Sequence, residues 1–114
     1  MLIRISSDDN SRVRLVRKLQ TRKGRSTERR FTAEGKNLVC EVLGRGLDVD
    51  FIMIPEGTSE ELPPAVKAAA DSPDITVCEV PQRVFDRLTD AGNGIGMLAV
   101  VRQDTIEGTI PEGI

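Results

Sequence analysis

The sequence predicts one α/β domain: an α/β/α sandwich around a mostly buried four-stranded sheet. Segments with apolar residues at helical spacing alternate along the chain with short apolar runs of strand length. The runs at 49–54 and 96–101 contain almost no polar residue, as expected of strands that are buried on both faces. A chain of 114 residues is long enough for one modest hydrophobic core.

The first predicted helix has an apolar side and a cationic side. Residues 1–9 are expected to form a polar leader, and Asn10 or Ser11 is expected to cap a helix that ends at Gln20 or Thr21. At roughly 100° per residue, its side chains divide into two groups. The apolar side consists of Val13, Leu15, Val16 and Leu19, and the cationic side of Arg14, Arg17 and Lys18.

A strongly basic segment follows, from Thr21 to Arg30. It contains no apolar residue and has a glycine among its charges, which predicts a solvent-facing loop. After it we expect a short strand at 31–33 and then a helix that Glu34 and Gly35 open and that ends near Gly46.

The second half of the chain alternates in the same way. The predicted elements are a strand at 49–54, a helix from Ser59 or Pro63 to Ala70, a strand at 75–80, a short helix from Pro81, a loop at 90–94 and a strand at 96–101. The domain is therefore expected to span residues 10–102, and residues 103–114 are expected to be a linker.

The charge is divided between two parts of the chain. Residues 1–36 contain eleven Lys and Arg against four Asp and Glu, whereas residues 37–114 contain five against fourteen. This division favours a localised anion-binding face, and the alternative is a solvated basic surface without a ligand. The candidate residues are Arg14, Arg17, Lys18, Arg22, Lys23, Arg25, Arg29 and Arg30. Arginine suits bidentate phosphate contacts, and Gly24 would let the backbone approach a phosphate.

Two residues beside this cluster have two interpretations each. Phe31 is either a platform for a splayed RNA base or a core residue of a chain with only three aromatic side chains. Glu34 either orients a loop arginine through a salt bridge or is an acidic residue at the start of a helix.

The residue types present exclude several kinds of catalytic site. Histidine is absent, and Cys40 and Cys78 lack the paired spacing of a zinc site, so we expect no metal and two reduced core cysteines. The glycines at 91–96 lie between a helix and a strand, which is the wrong order for a dinucleotide fingerprint.

No membrane span or signal peptide is apparent, which predicts a cytoplasmic protein. The residues alone favour a binding module over a complete enzyme.

The order of the pieces resembles the N-terminal substrate-binding domain of SpoU-type (TrmH-type) RNA 2′-O-methyltransferases. The matching residues are Asn10-Ser11, Val13, Leu15, Leu19, Arg22-Lys23-Gly24-Arg25, Phe31-Thr32-Ala33-Glu34-Gly35, Leu38-Val39, Val42-Leu43, Gly46, Leu88-Thr89 and Gly96-Met97-Leu98-Ala99-Val100-Val101. The likeness covers about residues 10–102. The chain departs from the family at 93–95, before the glycine of the last strand.

The resemblance implies a fold like that of kink-turn-binding ribosomal proteins and contacts between structured RNA and Arg22, Lys23, Arg25, Phe31 and Glu34. It also implies a full-length enzyme that uses S-adenosylmethionine to methylate a ribose 2′-hydroxyl, with rRNA favoured over tRNA as substrate. The family's knotted catalytic domain, its cofactor site and its homodimer interface have no match here. No catalysis and no cofactor are therefore expected from these residues, and 103–114 would lead toward the catalytic domain.

Two other functions remain open on this evidence. One is a free-standing RNA-binding protein of ribosomal-protein-like fold. The other is a protein-interaction α/β domain whose basic segment binds an acidic partner.

Overall fold

A five-stranded mixed sheet divides the protein into two apolar layers. The structure is a computed structural model, which describes residues 1–89 and 96–103. The strands are β1 (Leu2–Arg4), β2 (Arg30–Glu34), β3 (Val49–Pro55), β4 (Thr76–Val80) and β5 (Leu98–Arg102). They are ordered β1-β4-β3-β5-β2, with β1, β4 and β3 parallel and β5 antiparallel to both of its neighbours.

Five α-helices accompany the sheet in the described part of the chain. They are α1 (Ser11–Lys18), α2 (Arg22–Glu28), α3 (Lys36–Gly44), α4 (Pro64–Asp71) and α5 (Gln82–Phe85), with a 3-10 turn at Ser59–Glu61. Helices α3 and α4 pack on one face of the sheet, and α1 and α5 on the other. The expected α/β class is confirmed.

Strand β3 shows why the apolar runs predicted buried strands. Ile52 and Ile54 lie in the core beneath α3 and α4, whereas Phe51 and Met53 lie in the core beneath α1 and α5. Successive side chains of a strand point to opposite faces of the sheet. A strand with helices on both faces therefore needs apolar residues at its odd and its even positions.

The sheet has five strands and not the predicted four, because part of the expected polar leader forms β1. In the part of the chain that the structure describes, this edge strand pairs with β4 alone. Ile3 and Ile5 turn toward the core under α1, whereas Leu2 and Arg4 are exposed. Three residues at a sheet edge are too short to show a clear alternation.

The basic segment is also not a loop, because residues 22–28 form α2. Its only buried residue is Gly24, so the helix has no apolar stripe by which its period might be recognised. Thr21 caps its N-terminus, and Arg29 ends it in a left-handed conformation with φ 55°.

The third helix begins later than predicted, and this moves Glu34 into a strand. Glu34 is the last residue of β2, and the Gly35 N–H continues the ladder by donating to the Met97 carbonyl at 2.9 Å. Gly35 has φ 104°, which turns the chain directly from β2 into α3.

The remaining predictions agree with the structure within a few residues. Asn10 caps α1, since its side chain accepts from the Arg12 N–H at 2.8 Å. Cys78 is buried and Cys40 is half-buried against the core, and both are free thiols. The loop expected at 90–94 lies outside the described residues, as does the expected linker apart from Gln103.

Candidate nucleic-acid interface

Helices α1 and α2 meet at a tight corner that the side chain of Thr21 holds. Its hydroxyl donates to the Lys18 carbonyl and accepts from the Gly24 N–H, each at 3.0 Å, so one oxygen closes α1 and caps α2. A Cβ added to Gly24 would lie 1.9 Å from the Lys18 carbonyl oxygen. Gly24 therefore serves the approach of α2 to α1, and not the approach of a phosphate that its place in the sequence suggested.

This corner presents five cations, which we call the basic surface: Arg14, Arg17, Lys18, Arg22 and Lys23. All are exposed except Arg17, which is half-buried and lies 3.9 Å from the Asp8 carboxylate. No acidic side chain within residues 1–89 or 96–103 pairs with Arg14, Arg22 or Lys23.

The fold itself does not account for the charges of Arg22 and Lys23. Both stand in the first turn of α2, where the helix dipole is positive, and next to three further cations. Holding like charges together costs free energy, which an anionic ligand offsets. In contrast, Arg17 and Lys18 occupy the last turn of α1, where the dipole favours them.

Glu28 is an acidic residue within this corner. Its Oε2 accepts from Lys18 Nζ at 3.0 Å and so links α2 to α1. Its side chain also lines two adjoining grooves beside α1, of about 440 Å³ and about 410 Å³.

A network of charged side chains that includes Asp50, Arg30, Arg102 and Asp48 stands beside the basic surface. The two carboxylate oxygens of Asp50 accept from Arg30 Nε at 3.2 Å and from Arg102 Nη2 at 2.9 Å. Arg102 Nη1 also donates to Asp48 at 2.8 Å. Asp50 lies at a shift of register between β3 and β5, as in a β-bulge, which leaves its side chain between the two arginines.

Neutralising Asp50 is expected to destabilise the fold. Asp50→Asn leaves two partly buried guanidinium groups, on the facing positions of β2 and β5, without their shared carboxylate. We expect the free energy of unfolding to fall by about 2 kcal/mol, as measured by urea denaturation. Asp74→Asn is the control, because Asp74 is exposed, and it is expected to change stability by less than about 0.5 kcal/mol. Equal effects of the two changes would contradict a supporting role for the network.

The structure thus separates the eight predicted cations into the basic surface and three arginines outside it. Arg14, Arg17, Lys18, Arg22 and Lys23 form the basic surface. Arg25 is half-buried and donates to the Leu19 carbonyl at 3.0 Å, whereas Arg29 is exposed at the end of α2. Arg30 is held by Asp50 and by the Glu28 carbonyl, and therefore serves the frame and not the basic surface.

The two open interpretations beside the cluster are also resolved. Phe31 is 1% exposed and packs in the core beneath α3, so it offers no face to a base. Glu34 accepts from the Thr32 hydroxyl at 3.0 Å on β2. It is neither the partner of a loop arginine nor a helix-start residue.

Sequence reasoning missed two residues near the basic surface, Arg12 and Glu28. The guanidinium carbon of Arg12 lies 5.7 Å from the centre of the Phe51 ring, and Arg12 lines one of the two grooves. A signal for Glu28 was present, because it is the only acidic residue between Asn10 and Phe31. Nothing in the sequence distinguishes Arg12 in this way, because the Phe51 ring over which it lies is distant in sequence.

No metal centre is apparent in the described residues, and the buried thiol of Cys78 is unreactive. No group of three or more Cys, Asp or Glu side chains is placed to hold a metal ion within 1–89 and 96–103. Burial raises the pKa of the Cys78 thiol to about 11, so it stays protonated and unreactive at neutral pH. Of the helices in these ranges, none has the length and apolar character to cross a bilayer.

Solved structures of RNA methyltransferases share this fold. An rRNA methyltransferase from Sinorhizobium meliloti is 24% identical with a TM-score of 0.69, over 90% of this chain and 37% of that one. An RNA 2′-O ribose methyltransferase is 26% identical with a TM-score of 0.67, over 96% of this chain and 42% of that one. A putative RNA methyltransferase of the TrmH family from Porphyromonas gingivalis is 20% identical with a TM-score of 0.61, over 90% and 38%. The chain thus spans less than half the length of these neighbours.

A family model matches most of the sequence. The model describes the MRM3-like substrate binding domain, and it matches residues 10–99. None of the curated proteins matches the chain. The match confirms the resemblance that the order of motifs suggested, and the chain belongs to the family of MRM3-like substrate-binding domains.

Proposed function

We propose that this chain is the RNA-recognition domain of an S-adenosylmethionine-dependent ribose 2′-O-methyltransferase, and that it binds structured RNA through the basic surface without catalysing the reaction itself. The family assignment supports a substrate-binding role. One of the similar structures is described as an RNA 2′-O ribose methyltransferase, which supports the proposed reaction of the whole enzyme.

The observation that carries the proposal is that unpaired cations cluster at the α1–α2 corner. Arg4, Arg30, Arg45 and Arg102 all have carboxylate partners. Arg14, Arg22 and Lys23, at the α1–α2 corner, have none among the described residues. Phosphate groups of RNA are suitable partners, because they are anionic and closely spaced.

The proposal extends to substrate class and setting. The similarity to an rRNA methyltransferase favours rRNA over tRNA as the substrate. The likeness to kink-turn-binding ribosomal proteins remains a prediction, and it favours structured RNA. We propose a cytoplasmic enzyme that forms a homodimer through its catalytic domain.

The described residues do not fit a cofactor site. The rRNA methyltransferase from S. meliloti has also been solved with AdoMet bound, and this chain matches 37% of that enzyme. Here the grooves beside α1 are lined mostly by charged side chains, together with Ser11, Leu15 and Phe51. No glycine-rich cofactor loop is found within 1–89 or 96–103. We therefore place S-adenosylmethionine in the catalytic domain of the whole enzyme.

Binding to an rRNA fragment is expected to weaken steeply with salt. If the five cations neutralise about four phosphates, the slope of log K against log salt is about −3. Replacing Arg22 and Lys23 together with alanine is expected to lower affinity about tenfold near physiological salt and to make the slope less steep by about 1.4. Fluorescence anisotropy with a labelled rRNA fragment measures both quantities.

The matched control removes the same charge from the other layer of the protein. Lys36 and Lys67 are exposed on α3 and α4, so their double replacement by alanine is expected to leave the salt slope unchanged. Equal losses in the two double variants would overturn the assignment of the basic surface. Heparin binding as tight as RNA binding would indicate a general polyanion site, as in a domain that binds an acidic protein.

A further inference from the structure

The two grooves beside α1 form one continuous site. Both are lined by Ser11, Leu15 and Glu28, so they adjoin along the side of α1. One lobe adds Arg14 and Lys18, and the other adds Arg12, Asp50 and Phe51. We call this site the α1 groove. Each lobe has several hundred Å³, which is enough for a nucleobase.

A carboxylate inside this groove has an unused acceptor atom. Glu28 Oε2 accepts from Lys18, but Oε1 has no hydrogen-bond donor among the described residues. A carboxylate between cations weakens phosphate binding at that point, because it repels phosphates. Its position therefore favours a ligand that presents hydrogen-bond donors and no charge.

Arg12 supplies a planar group in the same groove. Its guanidinium lies over the Phe51 ring, which is itself 1% exposed. The guanidinium thus lies over an aromatic ring, and Arg12 is also a lining residue of the open groove. Arginine planes of this kind stack on unpaired RNA bases.

We propose that the α1 groove binds one unpaired guanine of the RNA, with the base stacked on Arg12, its N1–H and N2–H donated to Glu28, and its phosphate held by Arg14. This inference rests on the proposed RNA-binding function and adds base recognition to it. The basic surface provides affinity for any RNA backbone, and Glu28 provides the preference for one base.

The pattern of donors on the base edges explains the choice of guanine. Guanine carries two adjacent donors, which match the two oxygens of one carboxylate. Adenine and cytosine place a ring acceptor beside their amino group, and uracil flanks its single N–H with two carbonyl oxygens. Each of these acceptors would face the Glu28 carboxylate and be repelled by it.

The test compares three labelled RNA oligonucleotides of about nine residues: oligouridylate, the same chain with one central guanosine, and the same chain with one central inosine. We expect the guanosine oligonucleotide to bind the 114-residue chain about tenfold more tightly than oligouridylate, as for one bidentate base contact. Inosine lacks the N2 amine and is expected to fall between the two. Fluorescence anisotropy gives the three dissociation constants.

Three variants separate base recognition from general loss of structure. Glu28→Gln is expected to reduce the guanosine preference to less than about twofold while oligouridylate binds at least as tightly as before, because a negative charge has been removed. Glu41→Gln is the matched control, since Glu41 also has a cationic partner, Arg45 at 3.5 Å, and this variant should keep the preference. Arg12→Lys keeps the positive charge and removes the planar guanidinium group. It is expected to weaken binding of the guanosine oligonucleotide by about fivefold, with little effect on oligouridylate.

The possible results distinguish this inference from the proposed function. Binding of oligouridylate without a guanosine preference would overturn the guanine site and leave the RNA-binding proposal intact. A preference that survives Glu28→Gln would also overturn it, as would a parallel loss of affinity for all three oligonucleotides. If no oligonucleotide and no rRNA fragment binds, both proposals fail.

Discussion

Replacing Phe31 with alanine is expected to lower the free energy of unfolding by about 4 kcal/mol. Phe31 is 1% exposed and lies in the core beneath α3 and α4, on a strand that pairs with β5 at the edge of the described sheet. Truncation leaves a cavity next to the edge strand, which the surrounding sheet is unable to close. Urea denaturation followed by circular dichroism measures the loss.

Phe31→Leu distinguishes a core role from a role in stacking on RNA. Leucine keeps most of the volume, so the expected loss of stability is about 1.5 kcal/mol and rRNA affinity should not change. A stacking platform would behave in the opposite way, with stability preserved and RNA affinity reduced. That result would assign Phe31 to the RNA interface and would contradict its buried position in the structure.

Gly24→Ala is expected to destabilise the protein by about 3 kcal/mol, although the change adds a single methyl group. The new Cβ would lie 1.9 Å from the Lys18 carbonyl oxygen and 2.7 Å from its carbon. Both are backbone atoms, so no side-chain rotation relieves the clash, and α2 must move away from α1. The hydrogen bonds through Thr21 and the position of Arg22 and Lys23 would be lost together. Thermal unfolding and rRNA affinity should therefore fall in the same variant.

Gly44→Ala is the control for this change. Gly44 is the last residue of α3, and an added Cβ there meets no atom within 4 Å. Alanine in a helix is expected to stabilise by about 0.5–1 kcal/mol relative to glycine. If the Gly24→Ala variant were as stable as the Gly44→Ala variant, that result would contradict the close packing of α2 on the end of α1.

The layers of the fold were predictable from the sequence because buried faces require apolar residues at regular spacing. The core of β3 alternates between two covered faces, and α1 separates Val13 and Val16 from Arg14 and Lys18. Helix α2 and strand β1 have no such regular spacing of apolar residues. The first is held by Thr21 and a buried glycine, and the second has three residues at an edge. Both depend on tertiary contacts that periodicity does not record.

The candidate site was predictable as a region but not residue by residue. Arg22 and Arg30 look alike in the sequence, yet the first is exposed on α2 and the second is paired with Asp50 on a distant strand. Charge clustering therefore located the α1–α2 corner, and only the fold separated its exposed cations from its structural ones. The same reason explains why Arg12, which lies over Phe51, was not singled out.

The strand order also has a consequence for how the protein matures. Strand β2 lies directly after α2 in the chain, but within 1–89 and 96–103 its only partner is β5, whose residues are made last among the described strands. During synthesis, β2 must wait unpaired until residues 98–102 leave the ribosome. The Asp50 network, which needs Arg102 as well as Arg30, closes at the same step. The basic surface lies on α1 and α2, so its cations leave the ribosome before the sheet behind them is complete.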